Sequence, residues 1–412
     1  MKKGWEVKKL GEVCDFQRGL TYSKKDEVDF SENVVLRSNN VDLFSNKLDF
    51  SELKYINSSI VIPESKKVKK GSLIICTANG SKTHLGKVAL IDDDYDYAFG
   101  GFMGLVVPKQ QINSRFLFYL MISDTYKKFI AKLSDGANIN NLKFGDLENF
   151  EVPIPPLSEQ HRIVSILDKC FSAIDKAKAN AERCLSLSKT LFESYLQGVF
   201  ENGKDWEERT LGEVCEISSK LIDPRKPEFQ NLIHVGAGNI ESNTGLLSNL
   251  QTAKEENLIS GKFLFDKSMV LYSKIRPYLM KVVNCNFQGL CSADIYPLKP
   301  FEKVITKNYL YHLLLTKDFT DYAILGSQRA GMPKVNREHL FAYKFRLPTL
   351  KEQQTIVHQL DALRAETQKL ESVYQKKIAN LEELKKSILH LALIGSLSEV
   401  EGEELTEKGL AV

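Results

Sequence analysis

Residues Ala78–Thr83 of this 412-residue chain read ANGSKT, an ending that resembles a phosphate-cradling loop. Such a loop needs a leading glycine, a four-residue gap and then Gly-Lys, and these are absent. VGAGN (Val235–Asn239) and GGFMG (Gly100–Gly104) are glycine fragments of the same kind and read as turns. Asp92, Asp93, Asp94 and Asp96 crowd one loop. They lack the spacing and the glycine of a calcium loop, so they read as a solvated turn. The seven histidines are scattered, with no HExxH and none at zinc spacing from cysteine. His161 and His358 fall near helix starts, on faces expected to be exposed. The seven cysteines are odd in number and form no CxxC pair, which disfavours a disulfide framework and a zinc site alike. No GxSxG or comparable nucleophile signature occurs. The residues point to no enzyme, no metal and no cofactor.

What remains is a set of polar, basic, glycine-containing loops. In the first half these are RSNN (Arg37–Asn40), ANGSKTH (Ala78–His84) and SDGANINN (Ser134–Asn141). In the second half they are SSKLIDPRK, VGAGNI (Val235–Ile240), SKIRPY (Ser273–Tyr278) and SQRAGMPKVN (Ser327–Asn336). Arg, Lys, Asn, Gln and Ser are the side chains that read base edges and hold phosphates. The candidate DNA-binding residues are therefore Lys24, Arg37, Asn39, Asn40, Asn79, Ser81, Lys82, Thr83, His84, Asn138 and Asn140 in the first half. In the second half they are Lys220, Arg225, Lys226, Asn239, Lys274, Arg276, Tyr278, Arg329, Lys334 and Asn336. The competing interpretation is a set of ordinary hydrophilic loops.

The elements that position these loops are written twice. WEVKKLGEVC (Trp5–Cys14) returns as WEERTLGEVC (Trp206–Cys215) with 7 of 10 positions identical. PPLSEQHRIVSILD, from Pro155, returns as PTLKEQQTIVHQLD, from Pro348, with 8 of 14 identical; chance would give roughly one. The register shift is 201 residues at the first echo and 193 at the second. A period this long marks a duplicated domain with its appendage rather than a solenoid repeat. Short β-like runs such as SLIICT and FMGLVV, broken by Gly, Asn and Asp, precede the helical stretch SRFLFYLMISDTYKKFIAKL. VITKNYLYHLLLTKDFTDYAIL stands at the matching place in the second copy. Each mixed part reads as one α+β domain. Cys14 and Cys215, at the same place in both copies and inside apolar runs, read as small core residues.

After each proline phrase an apolar seam recurs in alternating steps of four and three. In the first copy it runs through Ile163, Leu167, Cys170, Ile174, Ala177, Ala181, Cys184, Ser188, Leu191 and Tyr195. In the second it runs through Ile356, Leu360, Leu363, Thr367, Leu370, Tyr374, Lys377, Leu381, Leu384 and Ile388. Five heptads of one seam predict two paired helices, each ~60 Å long at about 1.5 Å per residue. The small middle of the first (Ala177, Ala181, Cys184) would receive Leu370 and Tyr374 of the second if the pair runs antiparallel. The alternative is two unrelated amphipathic helices, each packed on its own domain. Ser158 is the expected N-cap, which favours a capping role for Glu159/Gln160 and Glu352/Gln353 over a partner contact. The expected division is a recognition-type domain over 1–155, a long helix over 156–200, a second domain over 201–348, a second helix over 349–395 and an acidic tail over 396–412.

No apolar run approaches the roughly 20 residues of a membrane span, and the start MKKGWEVKKL has no apolar stretch behind its lysines. A reducing cytoplasm is the expected compartment. Net charge is +3; the tail holds five Glu and one Lys, which leaves +7 on the rest. The tail reads as disordered. A mildly basic body is compatible with nucleic acid, with a partner supplying much of the phosphate grip.

The duplicated unit, with Pro-Pro-Leu-x-Glu-Gln-x-x-Ile-Val at Pro155–Val164 and LGEV after Trp5 and Trp206, resembles the specificity subunit of type I restriction-modification systems. The second copy departs only by Thr349 in place of the middle proline. The resemblance covers nearly all of the chain apart from the acidic tail, and it implies a non-catalytic protein. Each target recognition domain would read one half of a bipartite, asymmetric double-stranded DNA site, and the helices would act as a ruler for the unread spacer. Two methyltransferase subunits would dock on it and methylate an adenine in each half-site using S-adenosylmethionine, the base being flipped into their own sites. Translocase-nuclease subunits would complete the complex. Two alternatives stay open: a recognition subunit of a system whose nuclease is fused to its methyltransferase, and a coiled-coil adaptor that binds no DNA.

Overall fold

The computed structural model describes residues 4–135, 141–201, 203, 205–217, 220–327 and 332–397, with the side chains of 134 and 135 set aside. The expected disordered tail lies outside the described residues from 398 onward. Two compact units emerge, Met1–Glu182 with Lys376–Val412, and Arg183–Gln375. Among the described residues, no helix is long and apolar enough to cross a membrane.

In the first unit an antiparallel sheet orders Cys14–Arg18, Met103–Pro108, Leu73–Cys76 and Val88–Leu90. LIIC is apolar at every position because both faces of its sheet are covered. Leu73 and Ile75 enter the core built on Phe116, Leu117 and Leu120, while Ile74 and Cys76 enter a second core with Leu36, Phe99 and Leu105. Period-two alternation thus feeds two cores from one strand. A second sheet orders Glu27–Val28, Lys54–Ile56, Asn33–Leu36 and Tyr97–Phe99, its last pair parallel. The other unit repeats this plan. Cys215–Glu216, Ile295–Pro300, Val270–Ser273 and Val282–Asn284 form one sheet. Leu221–Ile222, Lys262–Phe265, Gly289–Cys291, Ile233–Val235 and Gln251–Thr252 form the other. The architecture is α+β, duplicated, with the parallel pair kept in both copies (Leu36 beside Phe99, Val235 beside Cys291).

The two echoes within each repeat meet in space. Glu6–Lys9 pairs antiparallel with Glu151–Ile154, and Glu207–Thr210 with Lys344–Leu347, so each mixed domain is closed by the strands next to its two signature phrases. Cys14 and Cys215 are buried, and burial pushes both thiols up to about 12, which keeps them protonated packing groups.

The single helical stretch expected near the end of each domain is in fact two helices. Ser114–Ile122 and Asp124–Asp135 are divided at Ser123, and Lys307–Leu313 and Lys317–Leu325 are divided before Thr316. Ser123 and Thr316 hold extended backbone, and their hydroxyls accept the amides of Tyr126 and Phe319 at 3.3 Å each. A capping hydroxyl within an apolar run stops one helix and starts the next.

The central helix is Leu157–Glu201 and the distal helix Leu350–Leu393. Within the first unit, Lys178 pairs with Glu382 and Asp175 with Lys385, both at 2.6 Å. As one number falls the other rises, so the helices run antiparallel. Within the second unit Tyr195 meets Gln359 at 3.2 Å and the Tyr374 hydroxyl meets Cys184, in the same sense. Of the expected seam, Ile163, Leu167, Ile174, Ala181, Ile356, Leu360, Leu381 and Ile388 are buried, and Ala177, Leu363, Tyr374 and Leu384 are half-buried. Leu191 and Leu370 depart from it, at 51% and 40% exposure. On the central helix the buried line keeps to the seam as far as Ser188 and then passes through Phe192 and Leu196 in place of Leu191 and Tyr195. A strict heptad drifts by about 20° per repeat on an α-helix, and steps of four take up that drift. Of the two residues expected to fill the small middle, Leu370 is 40% exposed and Tyr374 meets Cys184.

Candidate nucleic-acid interface

Described parts of several loops singled out in the sequence meet within each unit, and at equivalent places. In the first, Ala78 bridges Asn141, Leu142 N–H donates to Thr77 O at 2.6 Å, and Asn79 Nδ2 donates to Ser38 Oγ at 2.7 Å. The first two loops thereby border a cleft of about 920 Å³ lined by Tyr22, Lys24, Arg37, Asn39, Asn79 and Phe102, among others. Gly100, which lines the cleft, packs so close to Gly19 that a Cβ on Gly19 would lie 1.9 Å from Gly100 O. In the second unit the same bridge joins Ile275 to Lys334, Arg276 N–H donates to Pro333 O at 2.9 Å, and Lys281 Nζ donates to Ala237 O at 2.6 Å. The ladder registers align Leu36 with Val235 and Cys76 with Ser273, so Ser38 corresponds to Ala237 and Asn79 to Arg276.

The predicted residues divide by what their side chains already do. Asn40 and Asn239 build loops. Asn40 accepts Arg37 N–H at 2.9 Å and donates to Asp49 O and Glu52 O, while Asn239 accepts Gly236 N–H at 2.8 Å and donates to Ser248 O and Asn249 O. An amide so committed has little left for a base. Asn336 caps Arg337–Phe341 by accepting His339 N–H at 2.7 Å. Lys274 is buried, its ammonium on Ala293 O and 4.9 Å from the Tyr296 ring centroid, and desolvation pushes its pKa down. Lys334 is 3.5 Å from Asp294. Arg225 grips Asp223 through two nitrogens and holds that carboxyl at about 2, yet remains 65% exposed. Lys24, Asn39, Ser81, Lys82, Thr83, Lys220, Lys226, Arg276 and Tyr278 are exposed; Arg37, Asn79 and His84 are half-buried. Asn138, Asn140 and Arg329 lie outside the described residues. Polarity alone passed over Tyr22 and the 72% exposed Phe102; an aromatic inside a Gly-Gly turn was the available signal.

Asp92, Asp93, Asp94 and Asp96 are exposed, with Lys70 beside Asp93 and Lys67 beside Asp96. His161 and His358 are exposed. Among the described residues no group of three His, Cys, Asp or Glu could hold a metal.

In the repeated proline phrase the two glutamines depart from the expected capping role. Gln160 and Gln353 are fully buried and do not cap their own helices. Gln160 Oε1 accepts Asn113 N–H at 2.7 Å, and its Nε2 donates to Gln111 O and Pro155 O at 3.0 and 2.9 Å. Gln353 repeats the set with Thr306 N–H at 2.8 Å and with Val304 O and Pro348 O at 3.0 Å each. About two turns further on, Asp168 accepts from Arg115 at 2.6 Å and from Tyr119, and Asp361 meets His312 at 2.9 Å. The phrase bolts each long helix to the N-terminal end of the adjacent domain helix. The central helix starts at Leu157, so Ser158 lies inside its first turn, and Glu159 binds Arg162 at 2.7 Å. Only the second copy shows the capping arrangement, with Thr349 N–H and Oγ1 on Glu352 at 2.9 and 2.7 Å. Pro156 stands where Thr349 does and has neither donor.

A family model described as the type I restriction modification DNA specificity domain matches residues 2–182 and 203–381. The chain is 29% identical to the specificity subunit of the type I restriction enzyme EcoDI from Escherichia coli, over 79% of this chain and 78% of that one. It is 26% identical to the EcoKI specificity subunit from Escherichia coli K12, over 97% and 90%. Its fold matches a chain solved for the complex assembly and conformational transition of the type I R-M system, with a TM-score of 0.76 at 20% identity over 96% of this chain and 99% of that one. The crystal structure of the HsdS subunit from Thermoanaerobacter tengcongensis matches with a TM-score of 0.59 at 20% identity, over 96% and 98%.

Proposed function

The chain belongs to the type I restriction-modification DNA specificity family, and from that premise we propose how its own residues serve the role. It is a non-catalytic subunit that reads DNA for methylase and restriction subunits. Domain 1–155 reads one half of a bipartite site and domain 201–348 the other. The central and distal helices (156–200 and 349–395) set the unread interval and dock two adenine methyltransferase subunits, and translocase-nuclease subunits complete the assembly in the cytoplasm. The observation that carries this reading is the duplicated loop cluster: one scaffold, closed by the same strand pair and bolted by the same Gln and Asp, presents different polar loops in its two copies. Conserved support under divergent loops suits two readers of unequal half-sites. The exposed members of the predicted set, including Lys24, Lys82, Lys226, Arg225 and Tyr278, are the proposed DNA contacts. Asn40, Asn239 and Asn336 support the loops that carry them.

The test is a genome-wide map of methylated adenines in a host expressing this chain with its neighbouring methyltransferase. A split motif, modified on both strands and absent without this chain, is expected. No new methylation from a soluble, associated complex would overturn the reading in favour of an adaptor.

A further inference from the structure

The two loop clusters differ in where they carry an arginine. In the first unit Arg37 stands on the first loop, facing Asn79 of the second across the Ser38–Asn79 bond. In the second unit the position equivalent to Arg37 is Gly236, and the position equivalent to Asn79 is Arg276. Each cluster therefore has one arginine across these two sites, moved from one loop to the other.

Neither guanidinium is consumed by the fold. Arg37 lines the cleft, and its Nε is buried without a hydrogen-bond partner among the described residues. The nearby carboxylates are occupied: Lys54 holds Glu27 at 2.7 Å, and Asn39 reaches Glu52 at 3.4 Å. Arg276 is exposed and pairs with no described residue through its side chain. Asp294, the acid of that cluster, takes Lys334 at 3.5 Å and Lys274 at 3.9 Å instead. The backbone at Arg276 is left-handed (φ 49°), as it is at Met280 (φ 46°), around the buried Pro277. A non-glycine residue there is strained and persists only where its surroundings enforce it. Here Arg276 N–H is held by Pro333 O, and Leu279 N–H by Arg276 O, both at 2.9 Å. The knuckle presents an uncommitted fork on a fixed backbone.

We propose that Arg37 and Arg276 are specificity-determining residues, each laying its guanidinium on the O6/N7 edge of a guanine in the half-site read by its own unit. The planar fork of arginine matches that edge with two fixed parallel donors, whereas lysine reaches it only as a flexible point charge and so discriminates less sharply. This rests on the DNA-reading role proposed above. Because the two arginines stand on different loops, the guanines occupy different places within their half-sites.

The test uses the assembled complex of full-length chain and methyltransferase, with adenine methylation mapped genome-wide for the parent and for Arg37→Lys, Arg276→Lys and Arg276→Asn. Asparagine tolerates the left-handed backbone and is the residue the first unit has there. Variants are first matched to the parent by co-purification with the methyltransferase. The parent motif should specify a G·C pair in both halves. Arg37→Lys should relax one such pair in the first half only, and both Arg276 variants one in the second half only, each lowering discrimination by about five- to hundredfold. An unchanged motif, methylated evenly less or not at all by a variant complex that still co-purifies, would overturn the proposal in favour of a backbone contact. A half-site without any specified G·C pair would overturn it for that unit. Absence of any parental motif would instead remove the DNA-reading role itself.

Discussion

Replacing Gln160 by Leu deletes three hydrogen bonds while nearly preserving side-chain volume. Asn113 N–H, Gln111 O and Pro155 O then lose their side-chain partner. A buried polar group left without a partner costs roughly 1–3 kcal/mol. Only the Pro155 bond is wholly buried; those to Asn113 and Gln111 are part-buried, so water recovers some of their loss. The low end, about 1 kcal/mol for each group, gives an expected destabilisation of about 3 kcal/mol, a large share of a domain's usual 5–15 kcal/mol. The chain supplies its own reporters, with two tryptophans, Trp5 in the first unit and Trp206 in the second. Urea unfolding of the Trp206→Phe chain reports on the first unit, and that of Trp5→Phe on the second. Gln160→Leu should lower the transition seen by Trp5 and leave that seen by Trp206 close to its parent, and Gln353→Leu should do the reverse. Gln160→Glu should be worse than Leu at pH 7, because a carboxylate would face Gln111 O and Pro155 O. It should improve on acidification, because burial raises that carboxyl's folded pKa and its protonated form can donate again. A Trp5 transition in Gln160→Leu within about 0.5 kcal/mol of its parent would refute the bolt, placing the change among ordinary surface substitutions.

Leu191→Asp should be nearly silent by the Trp206 transition, whereas Phe192→Ala should cost about 3–5 kcal/mol; a larger cost at Leu191 than at Phe192 would show that the buried line follows the heptad after all. His234 is buried on Glu256, and desolvation holds its pKa below the ordinary 6.5. A depressed histidine pKa means that the unfolded chain takes up the proton first, so the second unit should weaken as pH falls below 6.5. His234→Val, which installs the residue found at the matching position Val35, should flatten that acid loss in the Trp206 transition; an unchanged profile would clear His234. Asp223→Asn frees Arg225, so the assembled complex should bind its DNA more tightly, with a salt dependence steeper by about one counterion. An unaltered slope would show that Arg225 does not reach phosphate.

What the sequence determined by itself is what recurs. The duplicated phrases, the apolar alternation of LIIC and the long seams all express burial, and burial periodicity is local enough to be read along the chain. The duplication also exposed the α+β repeat, the antiparallel helix pair and the family resemblance. Tertiary structure decided the rest. Gln160 and Asp168 read as helix-surface residues until the fold brings Asn113 and Tyr119 against them, because hydrogen-bond partners 47 and 49 residues away leave no local pattern. Leu191 and Phe192 are equally apolar, and only the accumulated drift of the helix decides which one faces the partner. Among the loop residues, composition treats Asn40, Lys274 and Asn336 no differently from Arg37 and Arg276. The fold separates them by spending the first three on backbone atoms and leaving the two guanidiniums uncommitted. Whether a polar side chain is available for a ligand depends on which partners three-dimensional packing has already assigned to it.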